Sequence, residues 1–377
     1  MSVFADRLSR AAATAADAGL DALLITPSTD LSYLLGLPAD YHGAFGERLT
    51  CLVLRADGAT VLVVPRLERP GYAHLDLDSL GVELADWSDN DDPYALVKGL
   101  LPGTSGAWDS SRALAVADAM PASHVFAFRA AMPDARQELA GRVLRELRMR
   151  KDADEVAALR KAGAAIDRVH ARMGELARPG RTEAQVGAAI AAAIVEEGHA
   201  RADFTIVGSG PNGASPHHDL SDRVVEPGDV VVVDIGGAVA EGYYSDCTRT
   251  YCVGGEPSAE VAETFAVLQE AQRAAVAAVR PGVTAEHVDS VARTIIADAG
   301  FGEYFVHRTG HGIGLEVHEE PYIVAGNDLV LEPGMAFSIE PGVYFAGRWG
   351  ARIEDIVVVT EDGCEPLNTR PHELVSL

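Results

Sequence analysis

The sequence predicts an α+β domain built from a duplicated unit and preceded by a smaller α/β domain. Three observations carry that reading. The stretch "RPGRTEAQVGAAIAAAIVEEG" at 178–198 aligns with "RPGVTAEHVDSVARTIIADAG" at 280–300, an offset of 102 residues. "EPGDVVVVDIG" at 226–236 aligns with "EPGMAFSIEPG" at 332–342, an offset of 106. Each copy sets a helix ahead of strands, which on duplication gives a pseudo-twofold α+β domain. The third observation is that the first 140 residues mix short apolar strands with helices, and the repeat begins only beyond them.

The elements follow in chain order. "MSVFADRLSRAAATAADAGLDALLITP" reads as an amphipathic helix running into a strand, and "TCLVLRADGATVLVVP" as two strands around an Asp57-Gly58 turn. "MPDARQELAGRVLRELRMRK" turns charged and helical, with Pro133 as a break, and Asp152 with Glu155 opens the next helix as a capping box. The boundary is placed in this region, giving domains 1–140 and 141–377. In the duplicated part Thr182 and Thr284 occupy N-cap positions. Val186, Ile190 and Ile194 form the apolar face of the first helix, and Val288, Val291 and Ile295 that of the second. The aligned strands are expected to end on Asp234 and Glu340, with the Gly-rich "GGAVAEG" turning the first back as a hairpin toward Asp246. The strands that follow, "SDCTRTY" and "ARIEDIVVV", put Asp246 and Glu354 in matching places.

Composition excludes several classes of function. A chain that is 48% hydrophobic is rich enough for real cores, so disorder is not expected. A net charge of −25 repels phosphate backbones and anionic lipid, so neither nucleic acid nor membrane is an expected partner. The start lacks an apolar segment of signal length, and no transmembrane run follows, which makes a cytoplasmic protein the expectation. Cys51, Cys247, Cys252 and Cys364 are scattered singly and read as reduced, structural thiols.

Four carboxylates delivered to one axis repel each other unless something neutralises them. Two divalent cations offset the charge of Asp234, Asp246, Glu340 and Glu354. A nitrogen ligand is available in "HRTGHGIGLEVHEEP" at 307–321, where His311 lies between Gly310 and Gly312 and can approach most closely.

At "DIGG…GYYSDCTRT", "GHGIGLEVHE", "SIEPGVY" and "RIEDIVVV" the chain resembles the pita-bread metallopeptidases, in the branch of Xaa-Pro dipeptidases (prolidases) and aminopeptidase P, over residues 145–370. Residues 1–140 resemble the N-terminal domain of the creatinase/prolidase branch, on "DALLITPSTDLSYLLG" and overall order. The resemblance implies five metal ligands, Asp234, Asp246, His311, Glu340 and Glu354, with Asp246 and Glu354 bridging. It implies accessory roles for His217 in "SPHHDLSD", for His307 and for His318, and an Arg352 that orients the second aspartate. Glu340 would also carry the proton from water to the leaving nitrogen, while His318 and His217 hold the scissile carbonyl. Two features depart from the family pattern. The Asp234-to-Asp246 spacing is one residue longer than usual, and His218 stands beside His217, which is chosen from the "SD" that follows.

The function implied is hydrolysis of Xaa-Pro dipeptides with two divalent cations, Mn²⁺ first and Co²⁺, Fe²⁺ or Zn²⁺ as alternatives. Aminopeptidase P action on longer peptides is the second reading. A metal-free creatinase-like hydrolase or binding module is the third, but such proteins lose the carboxylates that are all present here. The short connection "PGVYFAGRWGARI" between Glu340 and Glu354 favours the dipeptidase, with Arg348 a candidate to pair with the substrate's free carboxylate. A homodimer is expected, with the loop "LPADYHGAFGER" at 37–48 as the wall that one chain contributes to the other's site.

Overall fold

A computed structural model of the chain describes residues 2–38, 47–102 and 111–377. Residues 39–46 of the candidate wall loop therefore lie outside the described residues. The chain divides into two compact units, Met1–Arg148 and Met149–Leu377.

In the first unit the strands β1 (Ala22–Ile25), β2 (Cys51–Arg55), β3 (Thr60–Pro65), β4 (Val82–Trp87), β5 (Ala113–Val116) and β6 (Arg136–Leu139) form one sheet in the order β4-β3-β2-β1-β5-β6. β1, β3 and β5 are buried at every position, which is why they read as unbroken apolar runs rather than alternating ones. The charged segment after Pro133, expected to be helical, contains β6 ahead of the helix Gly141–Met149. Among the described residues β6 pairs only with β5, and an edge strand keeps polar residues such as Arg136 and Glu138 where a central strand cannot.

In the second unit the helix Ala153–Ala171 opens with the Asp152–Glu155 capping box, and Thr182 and Thr284 cap the helices Glu183–Glu196 and Ala285–Asp298. The duplication reaches into the backbone, since Thr182 bridges to Val224 and Thr284 to Val330 in corresponding places. Val186, Ile190 and Ile194 are buried as expected. In the second copy Val288, Ala292 and Ile296 are buried, whereas Val291 and Ile295 are only partly so. The repeat offset carries 190 and 194 onto 292 and 296, and the small Ala292 hid that register from a reading based on large apolar residues.

One sheet joins β7 (Phe204–Ser209), β8 (Asp229–Ala238), β9 (Tyr244–Val253) and the C-terminal β17 (Val375–Ser376). The other joins β10 (Gly310–Gly312), β11 (Glu319–Ile323), β12 (Ala336–Ile339), β15 (Asp355–Val359) and β16 (Cys364–Pro366), and β13 (Gly342–Phe345) pairs with β14 (Trp349–Arg352). Asp234 does not end its strand, because β8 continues to Ala238. Gly236 and Gly237 mark close approach rather than a turn. A Cβ on Gly236 would overlap the Ser245 carbonyl, and one on Gly237 the Arg201 carbonyl. Among the described residues no helix is long and apolar enough to cross a membrane.

A pH dependence follows from His170, buried in the helix Ala153–Ala171. Its Nε2 donates to the Cys247 carbonyl at 3.1 Å, and its Nδ1 accepts from the Tyr251 hydroxyl at 2.9 Å. Burial first, and then the Arg249 charge, push its pKa from 6.5 down to about 3. The unfolded chain therefore binds the extra proton below pH 6.5, so the stabilisation is complete above that value and is lost as pH falls. Each pH unit in that window costs about 1.4 kcal/mol. Urea melts of wild type and His170→Gln at neutral pH and at about pH 5 should show a shallower acid loss in the variant. Equal losses would remove His170 as a source.

Candidate metal centre

The β8–β9 register sets Asp234 opposite Thr248 and Asp246 opposite Gly236. The two aspartates are thus diagonal neighbours two pairs apart, and the period of a strand points both side chains to one face. Glu340 follows directly on β12, and Glu354 lies between β14 and β15, where its N–H donates to the Thr248 carbonyl at 3.1 Å. His311 is the middle residue of β10, which is squeezed between β11 and β12. A Cβ on Gly310 would overlap the Ser338 carbonyl and one on Gly312 the Glu320 carbonyl, so glycine on both sides is what admits the histidine. His311 Nε2 lies 3.5 Å from Asp246 Oδ2 and 3.2 Å from Glu340 Oε1. One ligand atom each from Asp246, His311 and Glu354 falls within 4.8 Å of the others.

All five line one cavity of about 910 Å³, together with His217, His307, His318 and Arg352. Its electrostatics are those of a cluster short of positive charge. Burial, then the charges of Glu354, Asp234 and Glu340, push the Asp246 carboxyl well above the usual range. Burial, then Glu340 and Asp234, do the same to Glu354. Burial works to raise Glu340, but the hydrogen bond and charge of His311, with the charges of His307 and Arg352, hold it down at about 2. Asp234 Oδ2 receives Arg352 Nη2 at 2.6 Å, while its buried Oδ1 has no partner among the described residues. Carboxylate oxygens and one imidazole are a donor set that fits first-row divalent cations, and the orphaned oxygen is one such donor to spare.

The histidines take different positions. The His318 ring stands edge-on to His311 at 4.1 Å, and burial, then the charges of His311 and Arg308, push it down to about 4, so it is neutral at neutral pH. His307 Nδ1 donates to the Arg308 carbonyl at 2.7 Å, and its Nε2 accepts from the Tyr344 hydroxyl at 2.9 Å. His217 lines the cavity, whereas His218 Nε2 turns to Glu183 Oε2 at 2.8 Å.

Two residues escaped the sequence reading. Glu183 is fully buried and also accepts from Ser209 N at 2.8 Å, Ser209 Oγ at 2.6 Å and Ser221 Oγ at 2.5 Å, which ties down the segment that carries His217. An acid in the first turn of an apolar helix was the available signal. Tyr344, four residues after Glu340, takes Arg352 Nη1 at 2.7 Å and so joins Arg352 to His307. Two expectations are corrected. Arg352 pairs with Asp234, the first aspartate rather than the second, because it crosses β9 over Thr248, to whose Oγ1 its Nε donates at 3.0 Å. Arg348 is exposed, pairs with Glu260 at 2.6 Å and is not among the residues that line the cavity.

Residues 157–361 match the pattern of metallopeptidase family M24, and residues 7–150 that of the creatinase/prolidase N-terminal domain. The probable dipeptidase PepE of Mycobacterium tuberculosis is 59% identical over 99% of this chain and 96% of its own length. The Xaa-Pro dipeptidase of Lactobacillus delbrueckii subsp. lactis is 36% identical over 94% of this chain and 95% of its own. Among solved structures, dipeptidase PepE from Mycobacterium ulcerans superposes with a TM-score of 0.92 at 59% identity, covering 99% of this chain and 98% of that one. Recombinant prolidase from Thermococcus sibiricus gives 0.90 at 37% identity, with both chains fully covered. The fold is accordingly a pita-bread domain behind a creatinase-like N-terminal domain. With the pattern matched over more than half its length, and with a carboxylate and imidazole cluster that suits divalent metal, the chain belongs to metallopeptidase family M24 and is a peptidase.

Proposed function

We propose that the protein hydrolyses Xaa-Pro dipeptides, with Asp234, Asp246, His311, Glu340 and Glu354 holding two divalent cations. The observation that carries the reading is the meeting of Asp246, His311 and Glu354 ligand atoms within 4.8 Å, in one cavity with the buried, unpartnered Asp234 oxygen. The relatives named Xaa-Pro dipeptidase support the substrate. The cations, when bound, supply Lewis acidity and an acidified water.

The chain's own residues do the rest. A prolyl nitrogen in a peptide carries no hydrogen, so it leaves as an amine only when a proton reaches it. Glu340, ionised and held by the Ser338 hydroxyl at 3.0 Å, takes the proton of the attacking water and passes it to that nitrogen. His318 and His217 on the cavity wall donate to the scissile carbonyl oxygen as it gains negative charge. Arg352 orients Asp234 and, through Tyr344, His307. Glu340→Gln should lower kcat by about 10³-fold, at least as much as it lowers metal affinity. A variant restored to wild-type turnover by excess metal would deny Glu340 the proton.

Mn²⁺ is the proposed ion, since oxygen-rich donors with a single imidazole suit it. The test is metal analysis of protein purified without chelator, followed by assay on Ala-Pro and Gly-Pro-Ala with Mn²⁺. Near two ions per chain and faster cleavage of Ala-Pro support the reading. Equal or faster cleavage of Gly-Pro-Ala replaces it with aminopeptidase P, and no binding after Mn²⁺ loading replaces it with a metal-free protein. A cytoplasmic homodimer completes the proposal, with four free thiols in keeping with a reducing compartment. Light scattering from a monomer at micromolar concentration removes the dimer.

A further inference from the structure

Lys151 and Glu319 form a buried ion pair that none of the roles above requires. Lys151 Nζ donates to Glu319 Oε1 at 2.6 Å, and the two side chains are 1% and 8% exposed. An ammonium and a carboxylate lose so much hydration on burial that apolar residues of similar size often hold a fold equally well. Stability alone therefore does not account for the pair. Its place in the fold does.

Glu319 opens β11, where it stands opposite Gly312 of β10, and residues 313–318 make the connection between the two strands. That connection carries Val317 and His318 to the cavity wall. It folds closely around the Glu319 carboxylate, since a Cβ on Gly314 would overlap Glu319 Oε1. Its far side is tied to the strand of Asp246, where Tyr244 N donates to the Gly314 carbonyl at 2.9 Å. Lys151 reaches the carboxylate from an anchored backbone: its own N–H donates to the Gly334 carbonyl at 2.9 Å, and Arg150 bridges to Met335. The described residues give neither ring nitrogen of His318 a hydrogen-bond partner, so the direction of that ring depends on the backbone beneath it and on its edge contact with His311 at 4.1 Å.

We infer that the Lys151–Glu319 pair positions His318, by fixing residues 313–318 so that the ring meets the scissile carbonyl oxygen. Neither Lys151 nor Glu319 lines the cavity, so both act through the histidine. The role rests on the reading that His318 donates to that oxygen.

The test measures kcat and KM on Ala-Pro, Tm, and the ions retained through dialysis, all on Mn²⁺-loaded full-length protein. Lys151→Met strands the Glu319 charge and should lower Tm. Its kcat should fall about 10- to 100-fold while KM changes less than about twofold, because a misplaced donor is missed chiefly in the transition state. Two ions should still be retained. Lys151→Met/Glu319→Met removes both charges, and should regain Tm without regaining kcat. Placed in a His318→Ala background, the same double substitution should cost less than about twofold in kcat, because the group that the pair positions is already gone. Wild-type kcat in Lys151→Met, recovery of kcat together with Tm in the apolar pair, or the full loss repeated in the His318→Ala background would each make the pair structural only. Should Lys151→Met fail to fold, the apolar pair strands no charge and carries the comparison. A His318→Ala variant as fast as wild type removes the role given to His318, and the positioning role with it. Failure of wild type to cleave Ala-Pro overturns the dipeptidase reading instead, and the same comparison on Gly-Pro-Ala then decides the positioning role.

Discussion

Asp246→Asn and Glu354→Gln should each reduce hydrolysis of Ala-Pro by more than about 10³-fold and leave the protein unable to retain two ions through dialysis. Each carboxylate brings a ligand atom to within 4.8 Å of the other and of His311, at the point where the two halves of the domain meet. An amide keeps the shape but loses the charge, and presents an NH₂ group where a cation needs an oxygen. Stability should move the other way. Both carboxyls are buried beside other acids, which holds their pKa values well up, so in metal-free protein their ionised forms are unfavourable. The metal-free variants should therefore melt at or above the temperature of metal-free wild type. Inactive variants with intact or raised Tm exclude misfolding as the cause. Retention of two tightly bound ions in either variant would sink the ligand assignment.

Arg352→Met should act on stability with the opposite sign, costing about 3–5 kcal/mol, because it removes one partner of a buried pair and strands the other. The Arg352 side chain is 2% exposed and holds Asp234 at 2.6 Å, Tyr344 at 2.7 Å and Thr248 at 3.0 Å. Turnover should fall by about 10²-fold, since Asp234 and, through Tyr344, His307 lose their orientation. Arg352→Lys keeps the charge, but one ammonium cannot serve three partners that lie in different directions, so an intermediate loss is expected. Denaturant melts and kcat on Ala-Pro check both. A methionine variant as stable and as fast as wild type would show that Asp234 is held by something else.

The contrast between these substitutions shows what kind of information the sequence carries. Helix starts were legible because a cap is a local event: Asp152, Thr182 and Thr284 each bond the backbone within three residues. The duplication was legible because aligned spacings need no knowledge of packing, and it brought the acids of both halves into one argument before any contact was known. The β6 edge strand was missed because its charged residues read as helix surface, and only its place at the rim of the sheet makes them tolerable.

The sequence by itself determined which residue types were present to build the centre, and that the second domain is one unit used twice. Tertiary structure alone decided how those residues are committed. Asp234 lies within β8 and pairs with Arg352, 118 positions away; His218 is claimed by Glu183, which leaves His217 at the cavity; Arg348 is held by Glu260 while Arg308 faces the cavity. The physical reason is that a cap or a helical face depends on neighbours along the chain, whereas a charge takes whichever partner the fold brings within about 4 Å, and sequence distance places no limit on that choice.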